Sequence, residues 1–255
     1  MPKGKFKAEY TGKKENVPGI VTFSFMPPEK IGFRAGQFAF FEFESGGKNF
    51  SKHFTVSSQP ESRQIEFTTI MSGSDYKQAL NKLPLGTIAE ISPPMGSFTL
   101  DARKSDKIAF LAGGIGITPV KSILESMATS KKPKGLEIAV FYSNRNRERI
   151  AFRERLEQLA QKIGNVQIIN TLTELSESLL EKGLRKKASQ GEKAEWKGET
   201  GFISSEMVKR HLKNWQEYCY YVAGPPAFNE AMKKMLLEEL RIKPEMIVFE
   251  TFSGY

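Results

Sequence analysis

A chain of 255 residues holds one large domain or two of ordinary size and can bury a core without disulfides or structural metals. One cysteine, Cys219, and two histidines, His53 and His211, exclude an intrachain disulfide, a cysteine-held zinc or iron–sulfur cluster and a histidine-rich metal site. Any redox chemistry must therefore come from an organic cofactor. The net charge of +9 admits nucleic acid, a membrane surface or an acidic protein as partner without choosing among them.

The start, Met1 to Lys14, has no apolar stretch like a signal peptide, and no window approaches membrane-spanning length, so a cytoplasmic protein is expected. The first hundred residues then read as strands. Val17 to Phe25, Gln37 to Glu44, His53 to Ser57, Gln64 to Ile70 and Thr87 to Ile91 are rich in Phe, Ile, Val and Thr. Turn residues such as Gly36, Gly46-Gly47, Pro60, Gly86 and Pro93-Pro94 separate them, and one short helix is predicted from about Asp75 to Leu83. Several short strands at this spacing predict a small antiparallel β-barrel.

After Asp101 the rhythm changes to strands alternating with helices. Strands are predicted at Lys107 to Ala112, Leu136 to Tyr142, Val166 to Thr171, Tyr218 to Ala223 and Met246 to Phe249. Helices are predicted at Pro119 to Met127, Glu148 to Ile163, Ser204 to Leu212 and Ala227 to Leu240. This alternation implies a doubly wound α/β domain with a parallel sheet covered on both faces. The boundary falls near Ala102 to Asp106, giving a barrel domain over 1–104 and an α/β domain over 105–255. The Lys/Glu-rich segment from Leu175 to Lys197 reads as a solvated helix and loop inserted at the surface, or as a docking surface. The dense basic blocks, the amino-terminal arm and Arg185 to Lys197, lack the interleaved aromatics of a nucleic-acid platform, so none is expected as partner.

Three motifs carry chemistry. Gly113-Gly114-Ile115-Gly116-Ile117-Thr118-Pro119 follows an apolar strand and opens a helix, a place where backbone can approach a pyrophosphate closely. It is not the Rossmann fingerprint, because Pro119 stands where the third glycine belongs. Ala223-Gly224-Pro225-Pro226 ends another apolar strand, and ligands of open α/β sheets gather at such carboxyl ends. Two glycine-bearing turns there could enclose one dinucleotide. In the barrel, Lys52-His53-Phe54-Thr55 combines a cation, a flat ring and a hydroxyl; strand alternation sets Lys52 and Phe54 on one face, His53 and Thr55 on the other.

Taken in order, with the terminal Glu250-Thr251-Phe252, these motifs resemble the ferredoxin–NADP⁺ reductase-like superfamily across nearly the whole chain. The resemblance implies an enzyme with FAD on the barrel and NADPH or NADH on the α/β domain, passing a hydride from nicotinamide to flavin. It places Lys52 at the flavin pyrophosphate in place of an arginine, and Phe54 along the isoalloxazine in place of a tyrosine. His53 shares this strand and this site; Thr55 takes the flavin nitrogen that receives the hydride. Thr69 and Ile70 border the flavin, Lys77 approaches its pyrophosphate, and Phe252, then Tyr255, cover its open face. Glu250 assists proton delivery or orders the terminus. For the coenzyme the implied residues are Gly113, Gly114, Gly116, Ile117, Thr118 and Pro119, with Thr118 near the nicotinamide. Ala223, Gly224 and Pro225 match a motif that often begins with cysteine, a thiol that Ala223 removes. Ser143-Asn144-Arg145, with no acidic residue before Glu148 and with arginines crowding the region, favour NADPH over NADH.

The acceptor stays open at this level. An acidic ferredoxin or flavodoxin suits a basic reductase, while a free flavin reductase or the reductase component of an oxygenase would share the same motifs. A dihydroorotate dehydrogenase electron-transfer subunit of the usual kind, or a fusion with a ferredoxin domain, would need more cysteines. A reading of another class is an inactive basic binding module on the same fold, favoured by the departures at Lys52, Phe54 and Ala223.

Overall fold

The computed structural model describes residues 4–129, 135–174 and 196–252. Most of the predicted insertion, and Tyr255, lie outside the described residues.

Strands β1 (Phe6–Val17), β2 (Ile20–Met26), β3 (Phe38–Ser45), β4 (Lys48–Thr55), β5 (Ile65–Ile70) and β6 (Ile88–Ile91) form an antiparallel sheet in the order β4-β3-β6-β1-β2-β5. A bridge between Val56 and Phe67 brings its two ends together. The strand expected over Val17 to Phe25 is corrected: Val17 ends β1 and pairs with Ile20 across a Pro18-Gly19 turn, where Gly19 has φ 75°. Proline followed by a positive-φ glycine is the chemistry of a tight turn, so the chain reverses there. β1 escapes a hydrophobic reading because Lys7, Glu9 and Lys13 to Glu15 are on its exposed positions, while Ala8 and Tyr10 face the core. The barrel core is built from phenylalanine: Phe23, Phe25, Phe41, Phe54 and Phe67 pack ring on ring. Helix α1 (Asp75–Asn81) covers one end.

The second sheet is parallel throughout. It contains β7 (Lys107–Gly113), β8 (Glu137–Asn144), β9 (Val166–Leu172), β10 (Glu199–Thr200), β11 (Cys219–Gly224) and β12 (Ile247–Thr251), in the order β10-β9-β8-β7-β11-β12. Helices α2 (Ile117–Thr129) and α3 (Arg153–Ile163) pack on one face. Helices α4 (Ser205–His211) and α5 (Pro226–Lys234) cover the other. β7 and β11 are buried on both faces, which is why their sequences are unbroken apolar runs. The strand order reverses about β7, so the turns after β7 and β11 flank the switch point where open α/β sheets bind ligands.

Among the described residues no helix is long and apolar enough to cross a membrane, and no group of three or more metal-ligating side chains forms a cluster.

Candidate active site

The two sheets meet along a cavity of about 380 Å³. Lys52, His53, Phe54, Thr55, Thr69 and Lys77 line it from the barrel, Gly96 to Phe98 from the connection, and Phe249 to Phe252 from β12 and just beyond. Thr55 and Glu250, 195 residues apart, touch in its lining: the Thr55 hydroxyl donates to the Glu250 carboxylate at 2.8 Å. Burial pushes the Glu250 carboxyl up to about 7, against the opposing pull of that hydrogen bond. A carboxyl that titrates near neutrality can hold or release a proton under working conditions.

Glu250 is fixed from behind. Parallel pairing sets it beside Ala223. Asn229 of α5 donates at 2.9 Å both to the Glu250 carbonyl and to the Thr251 hydroxyl. The Phe252 N–H reaches the Gly224 carbonyl at 3.1 Å, which ties the residue after β12 to the end of β11. Nothing in the local sequence signals Asn229, because its partners become neighbours only when β11 and β12 pair.

The cation end of the cavity is equally specific. Lys77 is buried and its ammonium donates to the Ile70 carbonyl at 2.7 Å. Burial first, and Lys52 second, lower the Lys77 pKa to about 8. Two ammonium groups that disfavour each other across one wall form a donor set suited to a diphosphate, and by this measure the residues fit a dinucleotide flavin.

The face alternation expected for β4 is present. His53 and Thr55 pair with Phe40 and Phe38, and the His53 ring packs tilted against Phe40 at 5.5 Å and edgewise against Phe38 at 5.6 Å. Phe54 points into the barrel, stacked on Phe67 at 4.2 Å with the planes 8° apart, and only 9% of it is exposed. The aromatic surface offered to the cavity from β3 and β4 is therefore chiefly Phe38, Phe40 and His53. Thr69 is buried beside Lys77, whereas Ile70 contributes its carbonyl to Lys77 and its side chain to an apolar contact with Ile20, Ile115 and Ala151.

On the α/β side, the glycines divide by cause. A Cβ on Gly116 would lie 2.0 Å from the Ala223 carbonyl oxygen, so the two turns meet backbone to backbone. Those on Gly113 and Gly224 would strike the Phe228 ring at 2.8 and 2.5 Å. Gly114 differs: φ is 53° and nothing stands within 4 Å of an added Cβ, which leaves open space at the start of α2. That space, with backbone N–H groups at a helix start, fits the anionic part of a nicotinamide coenzyme. Ile117 and Pro119 are buried in α2. Thr118 is also buried, and its hydroxyl turns back to the Ile115 carbonyl at 3.1 Å. Pro225 caps α5. Ser143 and Asn144 are buried at the end of β8, while Arg145 is exposed and its carbonyl accepts the Glu174 N–H.

Sequence reasoning passed over a latch between the two sheets. Lys121 and Ser122 of α2 donate to the carbonyls of Ser57 and Ser58, at 2.9 and 2.7 Å, two and three residues beyond Thr55. Lys121 also pairs with buried Glu125, which Arg155 of α3 reaches in turn. Replacing Ser122 by alanine is expected to cost about 1 kcal/mol, the net worth of one buried hydrogen bond. The same variant is expected to loosen the register of the two halves. Urea denaturation reads the first effect, and solvent accessibility of the cavity by quenching of a bound fluorophore reads the second.

Comparison with known proteins follows the same division. Residues 13–100 match the oxidoreductase FAD-binding domain model and residues 110–234 the oxidoreductase NAD-binding domain model. The chain is 29% identical over 192 residues to nitrate reductase [NADH] 2 of Arabidopsis thaliana, covering 70% of this chain and 19% of that protein. It is 26% identical over 224 residues to the glycine betaine monooxygenase reductase subunit of Pseudomonas aeruginosa, covering 85% of this chain and 56% of the relative. The chain thus spans from about a fifth to just over half of these relatives' length. The cytochrome b5 reductase domain of Ulva prolifera nitrate reductase superposes with a TM-score of 0.78 at 20% identity, over 98% of each chain, which shows a common fold.

Proposed function

Because the chain belongs to the ferredoxin reductase-like FAD/NAD-binding oxidoreductases, we propose that it is a cytoplasmic flavoprotein reductase working between NAD(P)H and a separate electron acceptor. When bound, FAD and the nicotinamide coenzyme supply the redox chemistry, a hydride passing from one to the other. The observation that carries this reading is the Thr55–Glu250 contact, made by residues from both halves in a cavity that Lys52 and Lys77 also line.

In this reading Lys52 and Lys77 bind the flavin diphosphate and Thr69 borders them. His53, Phe38 and Phe40 supply a flat apolar wall, Phe54 supports it from the barrel core, and Phe252 shields the mouth. Thr55 orients the Glu250 carboxyl, which holds or moves a proton at its Oε1. Open space at Gly114 receives the coenzyme, and the buried backs of Gly113, Gly116 and Gly224 keep its seat rigid. For the acceptor, the charge of +9 favours an acidic carrier protein such as a ferredoxin or flavodoxin. A role as the reductase component of an oxygenase is the second reading, supported by the likeness to the Pseudomonas reductase subunit.

The test is an anaerobic titration of the FAD-loaded protein with NADPH and separately with NADH, following the visible flavin band. Bleaching by either supports the reductase; a protein that binds no flavin, or holds one that neither coenzyme reduces, defeats it and leaves the inactive binding module. A linked expectation concerns Lys77. Its lowered pKa means that the free site loses a positive charge as pH rises through about 8. FAD affinity should therefore fall above that pH, and Lys77→Met should weaken FAD binding roughly tenfold and flatten this dependence. Flavin fluorescence titrations between pH 7 and 9.5 measure both.

A further inference from the structure

Strand β12 is the last of its sheet, and among the described residues it pairs with β11 alone. The ends of a strand held from one side open readily. Phe249 and Thr251 are exposed on either side of Glu250, so the strand end lies at the surface while its carboxyl is turned into the cavity lining. A buried carboxyl is drawn towards water whenever it ionises. Strand pairing on one side is a weak restraint against that pull, and a second one is present.

Asn229 lies at the end of the first turn of α5, where its backbone N–H donates to the Pro225 carbonyl at 3.0 Å. Its side chain is buried and gives its amide hydrogens to the strand end, to the Glu250 carbonyl and the Thr251 hydroxyl. Among the described residues its Oδ1 is buried with no hydrogen-bond partner. An apolar side chain of the same shape would avoid that unsatisfied acceptor, so the two donated bonds are what the amide gains there. Phe228, one residue earlier, stands against Gly113 and Gly224. One turn of helix therefore touches both coenzyme turns and the strand that bears Glu250. The charged and titratable side chains sharing the cavity with Glu250 are Lys52 and His53 of β4 and Lys77 of α1, while β11 sets Ala223 beside it and α5 offers only uncharged Asn229. Burial, opposed by the Thr55 bond, is what shifts the carboxyl.

We propose that Asn229 is a positioning residue for proton transfer: it ties the Glu250 strand end to the turn that opens α5, so that the carboxyl stays buried against Thr55 when it ionises. The chemistry rests on the reductase reading above; the restraint is a property of the folded chain with or without flavin.

Asn229→Leu keeps the volume and removes both donors. In NADPH-driven turnover of the FAD-loaded protein with ferricyanide, kcat should fall roughly tenfold and the KM for NADPH should change by less than about twofold. The pH transition near 7 should move down by about one pH unit or more, because a carboxyl released to water ionises more readily. A second measurement needs no flavin chemistry. In urea denaturation of the flavin-free protein, the destabilisation caused by Asn229→Leu should be larger at about pH 5 than at about pH 8, since only the wild type must keep an ionised carboxyl buried at the higher value. In a Glu250→Gln background it should be the same at both. Thr251→Val, at an exposed position, removes one of the two acceptors and should move the transition in the same direction by less, a check that holds even if Asn229→Leu folds poorly. A transition that stays near pH 7 in both variants, or a destabilisation independent of pH in both backgrounds, overturns the proposal and leaves Asn229 a packing residue. A wild type whose flavin neither coenzyme reduces defeats the reductase reading instead, and the urea measurements still decide whether Asn229 holds Glu250.

Discussion

Glu250→Gln is expected to leave FAD bound and to slow NAD(P)H-driven turnover with an artificial electron acceptor on the order of a hundredfold, the typical contribution of a positioned proton-transfer group, because returning reduced flavin to its oxidised form releases a proton as well as electrons. Glutamine keeps the shape and can still accept the hydrogen bond that Thr55 donates at 2.8 Å, but it cannot take up or release a proton. Steady-state turnover across pH 5.5 to 8.5 is the measurement. The wild type should show a transition near pH 7, where burial holds the carboxyl, and the variant should show none. A variant as fast as the wild type, with the same pH profile, would remove Glu250 from the chemistry.

The same shift makes a stability statement. A carboxyl whose folded-state pKa lies above its ordinary 4.5 is favoured in its protonated form by the native structure. Between about pH 4.5 and 7 the native state binds more protons than the unfolded one, so stability falls with rising pH and levels off above 7. A shift of this size corresponds to roughly 3 kcal/mol, the cost of burying the ionised group in the ligand-free protein. Glu250→Gln should therefore be more stable than the wild type at pH 8 and nearly equal at pH 4.5. Urea denaturation of the flavin-free proteins at the two values tests the sign as well as the size.

Gly116→Ala should produce the largest structural effect. The added methyl would meet the Ala223 carbonyl at 2.0 Å, and neither partner is a flexible side chain that can swing away. The two backbones would have to part by about 1 Å to bring that contact from 2.0 to 3.0 Å. Overpacking of this kind costs about 3 kcal/mol or more. Because Ala223 pairs with Glu250, the displacement would reach the carboxyl and its bond to Thr55. Gly114→Ala is the control: it meets open space and carries only the cost of a left-handed φ, about 1 kcal/mol. Thermal unfolding should rank Gly116→Ala far below Gly114→Ala. Equal melting temperatures would mean that the turns are not in contact.

Much of this architecture was legible in the chain itself. The change from short strands to alternating strands and helices, and the apolar runs of β7, β8 and β11, follow from periodicity and burial on two faces, which are local properties. β1 was hidden because its outward positions carry charge, and the π-helical turn over Met235–Glu239 at the end of α5 leaves no mark in a 3.6-residue pattern. The motifs at Lys52 to Thr55, Gly113 to Pro119 and Ala223 to Pro225 could be found because a strand end or glycine turn is written in consecutive residues. Which way each side chain points could not.

Tertiary structure alone decided that Phe54 stacks on Phe67 inside the barrel while His53 faces the cavity, since strand alternation gives two faces without saying which is inward. It alone joined Thr55 to Glu250, Lys121 and Ser122 to the strand end beyond Thr55, and Trp196 to Arg147 and Arg153. Those contacts span from 43 to 195 residues of chain and depend on where two sheets and their helices come to rest. Composition and local spacing determined which chemical groups the protein possesses; the packing of one sheet against the other determined which of them meet, because a hydrogen bond or a shifted pKa needs its partners within a few ångströms.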